Sequence, residues 1–119
     1  MQKNKADKTG KNRRPGSFNS MVYAALGKIP RGKVTTYSEI AKAIGRPKAF
    51  RQVGNACNAN PDAPKVPCHR VVKSNGEIGG YAKGKKAKVL LLKAEGIEVI
   101  DGKIMGFEGK IFKFTDRKK

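Results

Sequence analysis

The sequence predicts a mainly α-helical fold with small β elements, built around a helix-turn-helix. Apolar residues recur at helical spacing in four segments, and glycine and proline residues separate those segments. Alternating apolar residues appear only near the C-terminus. A chain of 119 residues has room for one domain, so we expect a single folded unit over residues 17–119, preceded by a basic disordered arm at residues 1–16.

The first helix is predicted from its cap and its apolar face. Ser17 can cap the N-terminus, and residues 29–33 end the helix and turn the chain. The residues that share one helical face are Phe18, Val22, Leu26 and Ile29.

Two further helices and the turn between them form the predicted helix-turn-helix. Thr36 can cap a helix from Tyr37 to Ile44, and Gly45 suits a left-handed C-terminal cap. A third helix follows at about residues 48–58. We expect Phe50, Val53 and Cys57 to face inward, and Lys48, Arg51, Gln52 and Asn55 to face outward.

Gly54 needs an explanation, because glycine in a helix interior costs about 1 kcal/mol relative to alanine. Close approach of another backbone, such as a DNA strand, is one explanation. Tight packing against a neighbouring helix is the other, and the sequence leaves both open.

The C-terminal half predicts a fourth helix and a hairpin. The helix spans Lys85 to Ala94, and Asp101-Gly102 is a strong hairpin-turn signal. We expect the core stripe of the helix at Ala87, Leu90, Leu91 and Ala94, and a closing strand at Phe107, Ile111, Phe112 and Phe114.

Charge is the strongest anomaly of the composition. The chain has 27 Lys+Arg against 9 Asp+Glu, for a net charge of +18, and residues 17–115 alone carry +11. Such a charge favours nucleic acid as the partner, with an anionic membrane surface or a merely solubilising function as alternatives.

No apolar run approaches the 18 or so residues that span a bilayer, so we expect an intracellular protein without a membrane segment. Two cysteines and one histidine are too few for structural zinc, so we expect no metal.

The segment Pro67-Cys68-His69-Arg70 carries the candidate chemistry. A thiol is a strong nucleophile only as the thiolate, so a reactive cysteine needs a nearby base or a positive field. Adjacent side chains of an extended segment point to opposite faces, so Cys68 and His69 would need a turn or a bridging water to cooperate. A small buried cysteine beside a satisfied histidine is the alternative.

Six separated motifs, taken in order, closely resemble the DNA-binding and active-site domain of the O6-alkylguanine-DNA alkyltransferases over about residues 18–100. They are residues 29–37, 51–56, 60–61, 67–72, 79–81 and 95–96. The resemblance implies a winged helix-turn-helix-like C-terminal domain that works without a cofactor or metal. It also implies that this chain lacks the separate N-terminal domain of most members. Ala82 departs from several members, which carry a polar residue there.

The resemblance implies a repair reaction in which an alkyl group passes irreversibly from guanine to the protein. Cys68 would accept the alkyl group, and His69 would take the thiol proton through a water molecule. Glu95 would orient His69, Tyr81 would donate a proton to the departing guanine, and Asn60 would brace the active-site turn.

The resemblance also implies how a monomer would bind double-stranded DNA through the minor groove and flip the damaged base. Arg51 would fill the vacancy in the base stack, and Tyr37 would help to rotate the target phosphate. The remaining residues of the predicted DNA-binding set are Thr36, Gln52, Gly54, Asn55 and Ala56. Such a protein would act in the cytoplasm of a prokaryote or in the nucleus of a eukaryote.

Two other functions compete with this one. An alkyltransferase-like sensor binds O6-alkylguanine without repairing it and recruits excision repair, but such relatives typically carry tryptophan at the position of Cys68. A winged-helix regulator would leave the set of Cys68, His69 and Glu95 unexplained.

Overall fold

Helix α1 (Phe18–Leu26) begins at its predicted cap. In the computed structural model, which describes residues 17–63 and 65–114, Oγ of Ser17 accepts a hydrogen bond from the amide of Ser20 over 3.1 Å. Val22 and Leu26 are buried on one face of the helix, as their spacing predicts. The arm predicted at residues 1–16 lies outside the described residues.

Helices α2 (Tyr37–Ala43) and α3 (Phe50–Asn58) pack against each other and against α1. Oγ1 of Thr36 accepts the amide N–H of Glu39 over 3.0 Å, which caps α2. Gly45 has a φ of +82°, the left-handed conformation that ends the helix and turns the chain. The predicted helix-turn-helix is therefore confirmed, with a core shared by the three helices.

The predicted inward position of Phe50 is wrong. Its side chain is 45% exposed, and it belongs to neither hydrophobic cluster of the described residues. The buried face of α3 consists of Val53, Ala56 and Cys57 and is centred on Val53. Phe50 is the first residue of the helix and lies at the edge of that face, so the core does not cover it.

A short parallel sheet joins the start of α2 to the segment that contains Cys68. Strand β1 (Thr35–Thr36) pairs with β2 (Val71–Val72), with Thr35 opposite Val71. A single 3-10 turn, Cys68–Arg70, leads directly into β2. The sheet therefore fixes the position of this turn relative to α2.

Helix α4 (Lys85–Ala94) has its predicted bounds, but its predicted core stripe is wrong in part. Ala87 and Leu91 pack against the core as predicted, whereas Leu90 and Ala94 are exposed. Leu90 is 66% exposed, whereas Lys88 and Leu92 are completely buried. Lys88 can occupy the interior because its ammonium group donates to the carbonyl oxygens of Val71 (2.7 Å) and Gly80 (2.9 Å). Apolar periodicity assigns every lysine to the surface. It therefore does not predict that the buried face of α4 includes Lys88 and Leu92 and excludes Leu90.

Beyond α4, the predicted hairpin is present but the predicted closing strand is not. Strands β3 (Val99–Ile100) and β4 (Lys103–Ile104) pair antiparallel across Asp101-Gly102. The strand predicted after it is wrong: left-handed Gly106 turns the chain into a four-residue helix, α5 (Phe107–Lys110). Of the predicted strand, only Ile111 makes a bridge, with Val34.

The described residues contain no helix long and apolar enough to cross a membrane.

Candidate active site

Asn60 holds the loop that carries Cys68. Its amide Nδ2 donates to the carbonyl of Val66 (2.7 Å) and to Sγ of Cys68 (3.4 Å), and its Oδ1 accepts the amide of Asp62 over 3.0 Å. Cys68 is only 2% exposed, and burial raises the pKa of its thiol. The hydrogen bond from Asn60 and the charge of Lys88 act in the opposite direction.

His69 and Glu95 form a buried hydrogen-bonded pair. Nε2 of His69 lies 2.8 Å from Oε2 of Glu95, and their side chains are 3% and 5% exposed. Burial by itself raises the pKa of the Glu95 carboxyl, but hydrogen bonds from Arg70, His69 and Gly32 outweigh it and lower that pKa to about 2. Glu95 is therefore ionised at neutral pH, so Nε2 of His69 carries the hydrogen in this pair.

The second nitrogen of the imidazole is left as a base. Nδ1 of His69 is buried and has no hydrogen-bond partner within residues 17–63 and 65–114. Burial lowers the pKa of His69, which favours the neutral ring despite the opposing effect of Glu95. A neutral ring with hydrogen on Nε2 has a lone pair on Nδ1, and this lone pair can accept a proton.

Arg70 completes the network around Glu95. Its guanidinium donates from Nε to Oε1 of Glu95 over 2.9 Å and from Nη2 to Oε2 over 2.8 Å. Nη1 donates to the carbonyl of Ile29 over 2.7 Å, and the amide of Gly32 donates to Oε1 over 3.2 Å. The sequence indicated Arg70 only as a positive neighbour of Cys68. It did not reveal this pair of guanidinium hydrogen bonds, which fixes the Glu95 carboxylate that faces His69.

A cavity of about 190 Å³ opens onto the thiol of Cys68. Its lining comes from α2, α3 and the loop before α4, and consists of Tyr37, Gly54, Asn55, Cys57, Asn58, Cys68, Gly80, Tyr81 and Ala82. Oη of Tyr81 is buried and has no partner among the described residues. The rings of Tyr81 and His69 meet edge-on with centroids 6.5 Å apart. The cavity lining therefore includes the residue that carries the thiol and a tyrosine whose ring contacts His69.

Tyr37 lies next to two glycine residues but restricts only one of them. A Cβ atom at Gly54 would lie 3.9 Å from its ring, and one at Gly79 would lie 3.0 Å from its hydroxyl oxygen. A distance of 3.9 Å is an ordinary van der Waals contact, so packing between α2 and α3 does not require a glycine at position 54, which instead lines the cavity. Burial raises the pKa of Tyr37 to about 12, so its hydroxyl keeps its proton at neutral pH.

The structure divides the remaining predicted DNA-binding residues into two groups. Arg51, Gln52 and Asn55 are exposed on α3. Thr36 and Ala56 are only 3% and 1% exposed, so any contact of theirs with DNA would have to come from backbone atoms. Thr36 caps α2, and Ala56 lies on the face of α3 that packs into the core.

Two buried residues belong to the site but were not assigned to it from the sequence. Cys57 lines the same cavity as Cys68, and burial raises its pKa to about 12. Lys88 ties the carbonyl of Val71, just after the Cys68 turn, to that of Gly80, just before Tyr81. No apolar or motif pattern marks a buried lysine. Within the described ranges no group of three or more metal ligands comes together.

Comparison with known proteins identifies the relatives of this chain. Residues 17–97 match the family model described as "6-O-methylguanine DNA methyltransferase, DNA binding domain". The methylated-DNA–protein-cysteine methyltransferase of Methanosarcina acetivorans is 56% identical over 79 residues, which is 66% of this chain and 51% of that protein. The chain therefore spans about half the length of the curated relatives it matches first.

Solved structures are similar over the same region. A DNA complex of Mycobacterium tuberculosis OGT has a TM-score of 0.67 at 44% identity. The match covers 70% of this chain and 51% of the OGT chain. S. pombe Atl1, solved with damaged DNA containing O6-carboxymethylguanine, has a TM-score of 0.74 at 34% identity. The match covers 84% of this chain and 98% of the Atl1 chain. These matches confirm the resemblance and the fold class predicted from the sequence. Since the family model matches more than half of its residues, the chain belongs to the 6-O-methylguanine DNA methyltransferase DNA-binding-domain family.

Proposed function

We propose that this protein repairs O6-alkylguanine in duplex DNA by transferring the alkyl group irreversibly to Cys68. The observation that carries the proposal is the buried thiol at the cavity, beside a histidine that has one nitrogen bound to an ionised glutamate and the other unpaired. A nucleophile, a base and a group that orients the base are the components that thiol activation needs. Relatives named methylated-DNA–protein-cysteine methyltransferase support this reading.

The reaction needs one proton relay and one displacement. The thiol proton of Cys68 passes through a bridging water to Nδ1 of His69, and Glu95 stabilises the resulting imidazolium. The thiolate then attacks the alkyl carbon, so that an S–C bond forms and the C–O6 bond breaks. The electron pair of the broken bond remains on the guanine, which takes a proton from Tyr81. The proton held by His69 then returns through solvent to the tyrosinate, so that the thiol proton has in effect passed to the guanine. A thioether is not displaced again, so each molecule reacts once and no cofactor is required.

The damaged base must leave the stack before its O6 atom can meet the thiol. Arg51 is exposed on α3, beside the residues of that helix that line the cavity, and its side chain is suited to fill the vacancy. We propose that α3 enters the minor groove of duplex DNA and that Tyr37 assists rotation of the target phosphate. The net +11 of residues 17–115 supplies attraction to phosphates along the duplex, and residues 1–16 add salt-sensitive affinity. The protein would act as a monomer wherever the DNA is held, in prokaryotic cytoplasm or in a nucleus.

A lesion sensor is the second candidate function, and one observation favours it. The chain covers 98% of S. pombe Atl1, with a higher TM-score than for the Mycobacterium tuberculosis OGT complex. Binding-only relatives typically carry tryptophan where this chain has Cys68. A cysteine held by Asn60 next to a histidine–glutamate pair supports transfer rather than binding alone.

Mass spectrometry after incubation with duplex DNA that contains O6-methylguanine tests the proposal. We expect one methyl group per protein molecule, located on Cys68 by peptide mapping, because only this thiol is adjacent to the histidine relay. Tight binding to the damaged duplex without an adduct would support the sensor instead.

The second cysteine of the cavity provides the matched control. Cys68→Ser should give no adduct, whereas Cys57→Ser should retain it, since Cys57 lies on α3 and the hydrogen bond from Asn60 and the adjacent His69 belong to Cys68. Methylation that disappeared in Cys57→Ser and persisted in Cys68→Ser would reverse the assignment.

Arg51→Ala tests base flipping. We expect it to slow repair of the damaged duplex by about 10- to 100-fold, because extrusion costs a few kcal/mol that an inserted side chain partly offsets. Reaction with free O6-benzylguanine, which needs no extrusion, should be unchanged.

Lys93→Ala controls for the loss of one positive charge. Lys93 is exposed on α4 and does not line the cavity, so we expect nearly normal repair of the duplex. Equal losses on duplex and free base in Arg51→Ala would contradict a flipping role for Arg51.

A further inference from the structure

Phe50 is an exposed aromatic residue that the fold itself does not use. Its side chain is 45% exposed at the start of α3, and neither hydrophobic cluster of the described residues includes it. Single exposed apolar side chains are common on protein surfaces, so it is the position of Phe50 next to the cavity that gives its exposure a meaning.

Helical spacing places Phe50 on the stripe that leads into the cavity. Residues 50, 54 and 58 follow one another at i, i+4 and i+8, and Gly54 and Asn58 line the cavity together with Cys68. With a rise of about 1.5 Å per residue, Phe50 lies about 6 Å from Gly54 along the helix axis, one turn outside the cavity.

The charges around Phe50 indicate the class of partner. Arg46, Lys48 and Arg51 are exposed on either side of it. An apolar ring between cations suits a ligand that has phosphates next to flat apolar surfaces, and duplex DNA with an opened stack is such a ligand.

We propose that Phe50 is an apolar wedge that stacks against the base pair next to the extruded nucleotide. This inference rests on the proposed function. When a base moves into the cavity past Gly54, the opening in the stack lies at the cavity mouth, beside both Phe50 and Arg51. Arg51 fills the vacancy, and Phe50 covers the face of the neighbouring pair that extrusion has exposed. The two adjacent side chains thus act on different parts of the same opening.

Variants at Phe50 test the wedge with three substrates: a duplex and a single strand that both contain O6-methylguanine, and free O6-benzylguanine. We expect Phe50→Ala to slow methyl transfer from the duplex about ten-fold, the size expected for losing one base–aromatic contact. Transfer from the single strand should fall much less, since it has no stack to open, and the free base should react normally. Phe50→Leu should restore most of the duplex rate, because leucine is also an effective wedge.

Leu90→Ala is the matched control, because Leu90 is 66% exposed on α4 and does not line the cavity. We expect it to react normally with all three substrates. An unchanged duplex rate in Phe50→Ala would overturn the wedge. Equal losses on the three substrates together with a lower melting temperature would also overturn it, by making Phe50 a structural residue.

Fluorescence anisotropy separates failure of the wedge from failure of the proposed function. If the wild-type protein methylates nothing, the proposed function fails, but the wedge still requires Phe50→Ala to bind the damaged duplex about ten-fold more weakly than the wild type. Equal affinities of the two proteins would overturn the wedge by itself.

Discussion

Replacing Glu95 by glutamine is expected to slow alkyl transfer at least about 100-fold, the size of a general acid–base contribution. The wild-type carboxylate accepts hydrogen bonds from Nε2 of His69 and from the guanidinium of Arg70. A neutral amide does not stabilise an imidazolium, and its NH₂ group can turn the histidine to the wrong tautomer. Single-turnover transfer from duplex DNA and from free O6-benzylguanine should fall together, because the defect lies in the chemistry. Affinity for the damaged duplex should be unchanged.

The same substitution should alter the pH dependence of stability. Folding lowers the pKa of Glu95 from 4.5 to about 2, so the unfolded chain binds this proton first as the solution is acidified. The wild-type protein therefore loses this contribution as pH falls from about 4.5 towards 2. Glu95→Gln should be less stable than the wild type at neutral pH, by about 3 kcal/mol for a broken buried ion pair. Its free energy of unfolding should not show the decrease on acidification that ionised Glu95 causes in the wild type. Urea unfolding at neutral pH and at about pH 3 measures both effects.

Glu98→Gln is the control for Glu95→Gln. Glu98 is exposed just beyond α4, so its substitution should leave the transfer rate as it is in the wild type and change the free energy of unfolding at neutral pH by no more than about 0.5 kcal/mol. A normal transfer rate in Glu95→Gln would show that His69 does not depend on this carboxylate.

Replacing Lys88 by methionine is expected to lower the free energy of unfolding by about 3 kcal/mol. Methionine fills much of the same volume but donates no hydrogen bond, so the carbonyl oxygens of Val71 and Gly80 lose their bonds to Nζ. The loop that carries Tyr81 then loses its tie to β2, so duplex repair should also slow.

Alkaline conditions give a second measurement on Lys88. Burial lowers its pKa from 10.5 to about 8, so between these values the unfolded chain holds a proton that the folded protein has released. The wild-type protein should therefore gain stability from this group as pH rises from about 8 to 10.5, and Lys88→Met should not. A neutral amine still donates hydrogen bonds, so both carbonyls stay satisfied over this range.

Lys86→Met provides the matched control on the same helix. Lys86 is exposed, so its loss should change the free energy of unfolding by no more than about 0.5 kcal/mol. Equal effects of the two lysine substitutions would contradict a specific role for the buried ammonium group.

Helix ends and turns could be predicted because short-range interactions decide them. Ser17 and Thr36 cap helices through amides three residues away. Asp101 and Gly102 both have positive φ, as the hairpin requires. In each case the interacting groups are close in sequence, so a local pattern contains the information.

The buried faces were harder to predict, because burial depends on what packs against an element. Leu90 satisfies helical periodicity yet faces outward, while Lys88 is buried through two carbonyls from distant segments. Phe50 has apolar spacing but lies at the edge of its face of α3. The sequence gives the side chains in these examples. It does not give the neighbouring segments that decide which of those side chains become buried.

The candidate site shows the same division. The sequence by itself determined the caps that begin α1 and α2, the basic charge and the segment that contains Cys68, because these are properties of composition and near neighbours. Only the tertiary structure decided that Glu95, 26 residues from His69, meets its Nε2 atom while Arg70 holds the carboxylate. Contacts of that separation form only when burial brings segments together and their polar atoms must find partners away from water. The folded core thereby leaves Nδ1 of His69 without a partner among the described residues and opens a cavity lined by Cys68.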